Sequence, residues 1–352
     1  MGHVLSSEGL PLNSCGEVFG DLYVRGELLD VVIRVDGDED EREGANSPQM
    51  GELAAHTCVL AAASPVLRKM LTGGFKEGRT LEKCGQRVIS LQEVSSVEVK
   101  NLLDWVYTGT VSVQSVHELM LLGKLADALD VQPLHSIIVN DALGTLAAET
   151  CAYTLQCAHE CCMHEIKDAA FRYALENFDE VAKTDGFLNL GEELVGALLA
   201  SDHLQSTCEE AVYEHVIRWM LHPSTQKGAT QDESLAQEGS GCVRGTELLR
   251  HLRFPLMDGQ YLALEIHQKT SANADVQDCW LLKSLTTEAA LWQIVPAESK
   301  HLFKLQHLSR AVLRPRHGSW RFAGSHIRHV LRGHREEVQA LKIWEVVFLF
   351  EF

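Results

Sequence analysis

The chain has 352 residues, 45% of them hydrophobic and 23% charged, enough apolar content for about two packed domains. Its 31 Lys and Arg stand against 49 Asp and Glu, a formal net charge of −18, which argues against a nucleic-acid-binding protein with a bare basic face and against charge-driven docking on anionic membrane. The 10 cysteines form no regular secreted-type framework, and no stretch reaches the roughly 18–20 uninterrupted apolar residues of a membrane span.

Met1 to Gly20 has neither a basic start nor a continuous apolar run, so no secretory leader is expected. With several thiols lying in apolar helical stretches, the expected setting is reducing: cytoplasm or nucleus. Met1-Gly2-His3-Val4-Leu5-Ser6 fits the loose N-myristoylation pattern, and a single acyl chain anchors only weakly, so no stable membrane insertion is expected. Residues 1–15 otherwise read as a tail. Over residues 16–29, Val18, Phe19, Leu22 and Tyr23 share one face of a short amphipathic helix. The β-branched run within Leu28 to Val35 predicts a strand, and the polar, acidic segment Asp36 to Met50 predicts a mobile hairpin loop. Glu52 to His56 returns as a short strand. Thr57 to Leu71 is an alanine-rich helix broken at Ser64-Pro65, where a new helix starts with no loss from the missing N–H. Thr72-Gly73-Gly74 ends it. Arg87 to Leu91 predicts a strand and Ser95 to Val106 a helix, with Gly109 suited to a left-handed cap. Val111 to Val113 is a brief strand, Ser115 to Leu129 a strongly periodic helix, and another helix follows Pro133. This first part is α+β: short strands clasped by helices.

From about Ala147 the pattern is all-α, with helices over 149–158, 165–178, 190–199 and 208–220. Ser206 and Glu209 have the spacing of a capping box for the last of these. The Ser, Gly, Gln and Thr-rich stretch 222–245 predicts a disordered insertion, and Thr246 to Leu252 resumes helix before Arg253-Phe254-Pro255-Leu256 stops it. Residues 276–352 are the least readable. Trp280, Trp292, Trp320 and Trp344 argue against simple disorder, and Gly318 to Trp344 has a faint WD-repeat character. One blade cannot bury its own faces, so this reads as a short, uncertain segment, β-rich if it opens a propeller.

Residues 16–144 resemble a BTB/POZ domain. The resemblance is carried in order by Leu28-Leu29-Asp30-Val31, Ala55 to Leu67, Phe75-Lys76-Glu77-Gly78, Val88 to Leu91, Trp105-Val106-Tyr107-Thr108-Gly109 and Leu119 to Leu129. Residues 147–268 resemble a BACK domain, on Glu149-Thr150-Cys151, Ala174 to Val181, Phe187 to Leu190, Leu199 to Leu204, the Trp219 helix and Leu252 to Met257. BTB followed by BACK is similar to the kelch-like adaptors, although no kelch repeats follow within these residues. The resemblance implies a non-catalytic, substrate-recruiting subunit of a cullin-3 ubiquitin ligase, acting as a homodimer on an unnamed protein target. A self-assembling scaffold or transcriptional co-regulator that binds no cullin stands as the alternative. The family's cullin contact implies roles for Phe75 and Glu77, with Met70 and Tyr107 as neighbours; the other reading of Phe75 is a loop residue tucked into its own core. Its two-fold interface implies roles for Phe19, Leu22, Tyr23 and Leu29, which could instead close the domain's own core.

No catalytic constellation stands out: there is no phosphate-cradling Gly loop, no Gly-x-Ser-x-Gly and no His-Glu-x-x-His, so neither an enzyme nor a cofactor is expected. Cys151, Cys157, His159, Cys161, Cys162 and His164 form the densest group of metal-type ligands, but their spacing fits no usual zinc motif. Packed thiols are the simpler reading, and a redox-sensing thiol the sharper one.

Overall fold

Val31, Ile33 and Val35 are buried while Val32 and Arg34 are only partly so, the period-2 burial of a strand with one face on a core. This strand, β2 (Val31–Val35), is the centre of a three-stranded sheet. It runs antiparallel to β3 (Gly51–Ala55), pairing Val31 with Ala55 and Val35 with Gly51, and parallel to β4 (Arg87–Leu91), pairing Val31 with Arg87 and Val35 with Leu91. The computed structural model describes residues 2–6, 14–35, 51–73, 87–222, 245–265, 279–296, 299–300, 308, 313 and 315–316. The expected hairpin loop, the segment carrying Phe75 and Glu77, residues 223–244 of the expected insertion and the WD-like stretch lie outside the described residues. The chain divides into two units, Met1–Ala170 and Phe171–Phe352.

In the first unit the predicted break at proline is real. α2 (Thr57–Ala63) ends at Ser64 and α3 (Pro65–Thr72) begins at once. The Ser64 hydroxyl accepts from the Leu67 N–H at 3.0 Å and donates to the Leu129 carbonyl, so one side chain caps a helix and ties it to a distant one. α4 (Ser96–Thr108) opens with a full capping box between Ser95 and Glu98 and closes on Gly109 at φ 71. After β5 (Thr110–Val113) come α5 (Val116–Ala128), α6 (Gln132–Gly144), α7 (Ala148–Glu160) and α8 (His164–Glu176). Leu60, Leu67, Ile89, Leu103, Leu119, Leu122 and Ile138 belong to one buried apolar cluster. A Cβ on Gly123 would meet the Met163 Cε at 2.7 Å and the Ile138 Cγ2 of α6 at 3.2 Å, so these two side chains pack close against the α5 backbone there.

The expected N-terminal tail is instead partly a strand. β1 (His3–Ser6) pairs antiparallel with β5, His3 opposite Val113 and Ser6 opposite Thr110. Leu5 is buried, and His3 Nδ1 stands 2.6 Å from a carboxylate oxygen of Asp141 on α6. α1 (Ser14–Arg25) follows and packs on α4.

The second unit is helical: α9 (Phe178–Lys183), α10 (Asp185–Leu188), α11 (Glu192–Ala200), α12 (Glu209–Met220), two 3-10 turns (Thr246–His251 and Phe254–Leu256), and α13 (Trp280–Ile294). Trp219 is fully buried, and its indole N–H donates to the Leu190 carbonyl at 3.0 Å. The Ser206–Glu209 capping box does not form. Cys208 is the N-cap, with no side-chain bond; the Ser206 hydroxyl donates to Asp179 at 2.6 Å, and Glu209 pairs with Arg316. The uncertain C-terminal segment opens with helix α13, not strand. Its Gln293 amide donates to the carbonyls of Pro255 and Met257, at 3.2 and 2.7 Å, joining it to the 3-10 turns.

Candidate interaction site

α1 presents two kinds of apolar residue. Phe19 and Tyr23 pack against the core of the first unit: Tyr23 stacks on Tyr107 with centroids 4.1 Å apart and planes 4° from parallel, and Phe19 meets the His56 ring edge-on at 5.7 Å. Leu22 and Leu29 are half-buried. The apolar surface that α1 and its exit leave open comes from Val18, 56% exposed, Val24, 80%, and Leu28, 78%. Sequence reasoning placed Val18 on the helical face but passed over Val24 and Leu28. Leu28 also holds a φ of 60, a left-handed conformation that a leucine adopts only when its surroundings impose it.

Tyr107 is 3% exposed, and its hydroxyl is engaged from two sides. The His56 backbone N–H donates to it at 2.9 Å, and His56 Nδ1 stands 2.8 Å away. His56 Nε2 lies 3.0 Å from the Glu27 carbonyl. Every partner is satisfied by a neutral imidazole with its proton on Nε2, so that Tyr107 donates to Nδ1 and His56 donates to Glu27. Burial pushes the Tyr107 phenol up to about 12. His56 links the β3–α2 corner to α4 and to the exit of α1.

Met70, near the end of α3, is half-buried against the same core. The helix closes on Gly73, whose N–H donates to the Lys69 carbonyl at 2.7 Å; the chain leaves there toward Phe75 and Glu77, which lie outside the described residues. The structure therefore brings Phe19, Tyr23, Tyr107 and His56 into one aromatic cluster and places Met70 on a separate helix end.

Of the four cysteines in the group, Cys162 is exposed and the other three are packed thiols. Cys151, Cys157 and Cys161 are buried, and the Cys151 thiol donates to the Ala170 carbonyl at 3.3 Å. Burial pushes Cys151 up to about 12 and Cys161 up to about 11, the opposite of the depressed value a redox-sensing thiol needs. Among the described residues, no group of three or more His, Cys, Asp or Glu is arranged to hold a metal ion, and no helix is long and apolar enough to cross a membrane.

Residues 19–146 match the BTB/POZ domain family, and residues 151–237 match the BACK family, BTB And C-terminal Kelch. The chain is a BTB–BACK protein. Among its relatives, Kelch-like protein 2 of Homo sapiens is 29% identical over 253 residues, covering 72% of this chain and 38% of the relative. Kelch-like protein 26 of Mus musculus is 28% identical over 236 residues, covering 67% of this chain and 33% of the relative. This BTB–BACK protein thus spans well under half the length of these curated relatives. The BTB (Tramtrack and Bric a brac) domain of human Gigaxonin aligns at 18% identity and a TM-score of 0.28, covering 38% of this chain and 94% of that one.

Proposed function

We propose that this BTB–BACK protein is a non-catalytic adaptor of the cytoplasm or nucleus that recruits a protein substrate to a cullin-3 type E3 ubiquitin ligase through a BTB homodimer. The supporting observation is the ordered pair of domain matches, with Phe75-Lys76-Glu77 following α3 inside the first. Catalysis in such a complex is by proximity: the BTB domain holds the cullin scaffold while another part of the adaptor presents the target. An aromatic anchor entering a pocket, with an adjacent carboxylate fixing register, is a common form of interface hot spot. Met70 and Tyr107 complete the proposed surface, Met70 through its exposed part and Tyr107 by holding the α4 end rigid. Homodimerisation draws on α1 and its exit, where Phe19, Leu22, Tyr23 and Leu29 form the inner layer and Val18, Val24 and Leu28 the outer one.

The exposed apolar residues of α1 serve a self-assembling scaffold equally well, and that is the second reading. Titration of the full chain against a cullin-3 N-terminal fragment, with light scattering on the same samples, separates the two. Binding by the wild type that is lost in the Phe75→Ala, Glu77→Ala double variant supports the adaptor. A folded dimer that does not bind the fragment sinks that reading and leaves the scaffold.

A further inference from the structure

Arg316 is 1% exposed, although the preceding Pro315 is exposed. A guanidinium so deeply buried is costly unless every face meets an acceptor. Its Nη1 donates to the carbonyls of Leu199 and Ser201, at 2.7 and 2.8 Å, and its Nε donates to Glu209 Oε1 at 2.8 Å. Nη2 approaches the His251 carbonyl at 3.4 Å. These acceptors come from the C-terminal end of α11, the first residue of α12 and the last residue of the first 3-10 turn. The end of α11 carries the partial negative charge of a helix C-terminus, which favours a cation there. The neighbouring Arg253 pairs with Asp202, and Arg316 pairs with Glu209.

The acceptors are held in place by apolar packing that does not involve Arg316. Leu194, Val195, Leu198 and Leu199 of α11 are buried, as are Leu248 and Leu249 of the 3-10 turn. The two elements pack so closely that a Cβ on Gly196 would sit 3.2 Å from Leu248. The carboxylate also has capacity to spare: Glu209 Oε2 is buried and has no hydrogen-bond partner among the described residues. Carbonyls fanned around a planar, five-donor fork suit arginine and not lysine, whose compact ammonium cannot reach them all.

We propose that the end of α11, Glu209 and the His251 carbonyl form a preformed receptor for a peptide guanidinium, and that Arg316 fills it as an intramolecular ligand. The ligand class is an arginine preceded by proline, as in Pro315-Arg316, where Pro315 fixes its own φ next to the buried guanidinium. By this assignment the receptor tethers the chain at residue 316 to the helical unit through one exchangeable side chain. An arginine-bearing peptide from elsewhere enters only when Arg316 leaves.

The test uses the full chain with Arg316→Ala and a fluorescent peptide of residues 308–318, read by polarisation. The receptor persists without its ligand, so the variant keeps its helical circular dichroism. It binds the peptide at least about tenfold more tightly than the intact chain does, and at least about tenfold more tightly than it binds a peptide carrying Arg316→Ala. Adding Glu209→Gln to the variant weakens that binding. A folded variant that does not distinguish the two peptides overturns the proposal. So does a variant that loses its helical signal, because Arg316 is then part of the core and not a ligand.

Discussion

The Tyr107 hydroxyl lies between the backbone nitrogen of His56, at 2.9 Å, and the Nδ1 of the same residue, at 2.8 Å. One side chain of α4 therefore satisfies two polar groups at the β3–α2 corner. Removing the hydroxyl strands a buried N–H and a ring nitrogen, while the stack on Tyr23 survives. Tyr107→Phe is expected to cost about 1–3 kcal/mol in urea unfolding. A variant as stable as the wild type would show that water or a shifted ring replaces the hydroxyl.

The two layers of α1 separate fold from assembly. Val24→Glu combined with Leu28→Asn removes apolar surface that the single chain leaves open, and asparagine tolerates the φ of 60 at position 28 better than leucine does. We expect this pair to shift light scattering from dimer to monomer without lowering the melting temperature. Phe19→Ala should do the reverse: it opens a gap beside His56 and lowers the melting temperature. A double variant that stays dimeric places the interface elsewhere.

What could be read from the sequence was what neighbouring residues decide. Pro65 after Ser64 announces a helix start by its missing N–H, Gly109 announces a left-handed cap, and the run through Val31 and Val35 announces a strand. What escaped was settled by distant partners. His3–Ser6 is too short to show a period, and it becomes a strand only because β5 offers an edge and Asp141 meets His3. Ser206 and Glu209 have a capping spacing, yet Asp179 and Arg316 outcompete the local backbone for them. Nothing near Arg316 in sequence reveals the carbonyls of Leu199 and Ser201. In the same way Phe19 and Tyr23 share a stripe with Val18, and only the position of Tyr107 decides which of them turn inward.

Thiol reactivity should follow burial. Cys58 and Cys162 are exposed, whereas Cys151, Cys157 and Cys161 are buried with their thiols pushed upward by desolvation. In the native protein at neutral pH, iodoacetamide should modify Cys58 and Cys162 before Cys157 and Cys161 and leave Cys151 unmodified until denaturant is added; peptide mass spectrometry reads the order. Rapid native labelling of Cys151 or Cys161 would restore the redox-sensing reading.

Acid should loosen the second unit through His215. The ring is half-buried against Phe178, with centroids 6.1 Å apart, and burial lowers its pKa below 6.5; Arg218 and Lys183 push the same way, Asp179 and Glu214 against. The more exposed His251 is lowered too, by burial and then by Arg316, and contributes less. A histidine lowered in the fold takes up its proton more readily once unfolded. Its effect on stability is therefore absent above 6.5, and stability falls as pH drops through 6.5 toward the folded value. Melting temperatures of the full chain should be flat above that point and decline below it. His215→Gln, which cannot titrate, should remove most of the decline in this window. An unchanged slope in His215→Gln would move the acid sensitivity to other groups.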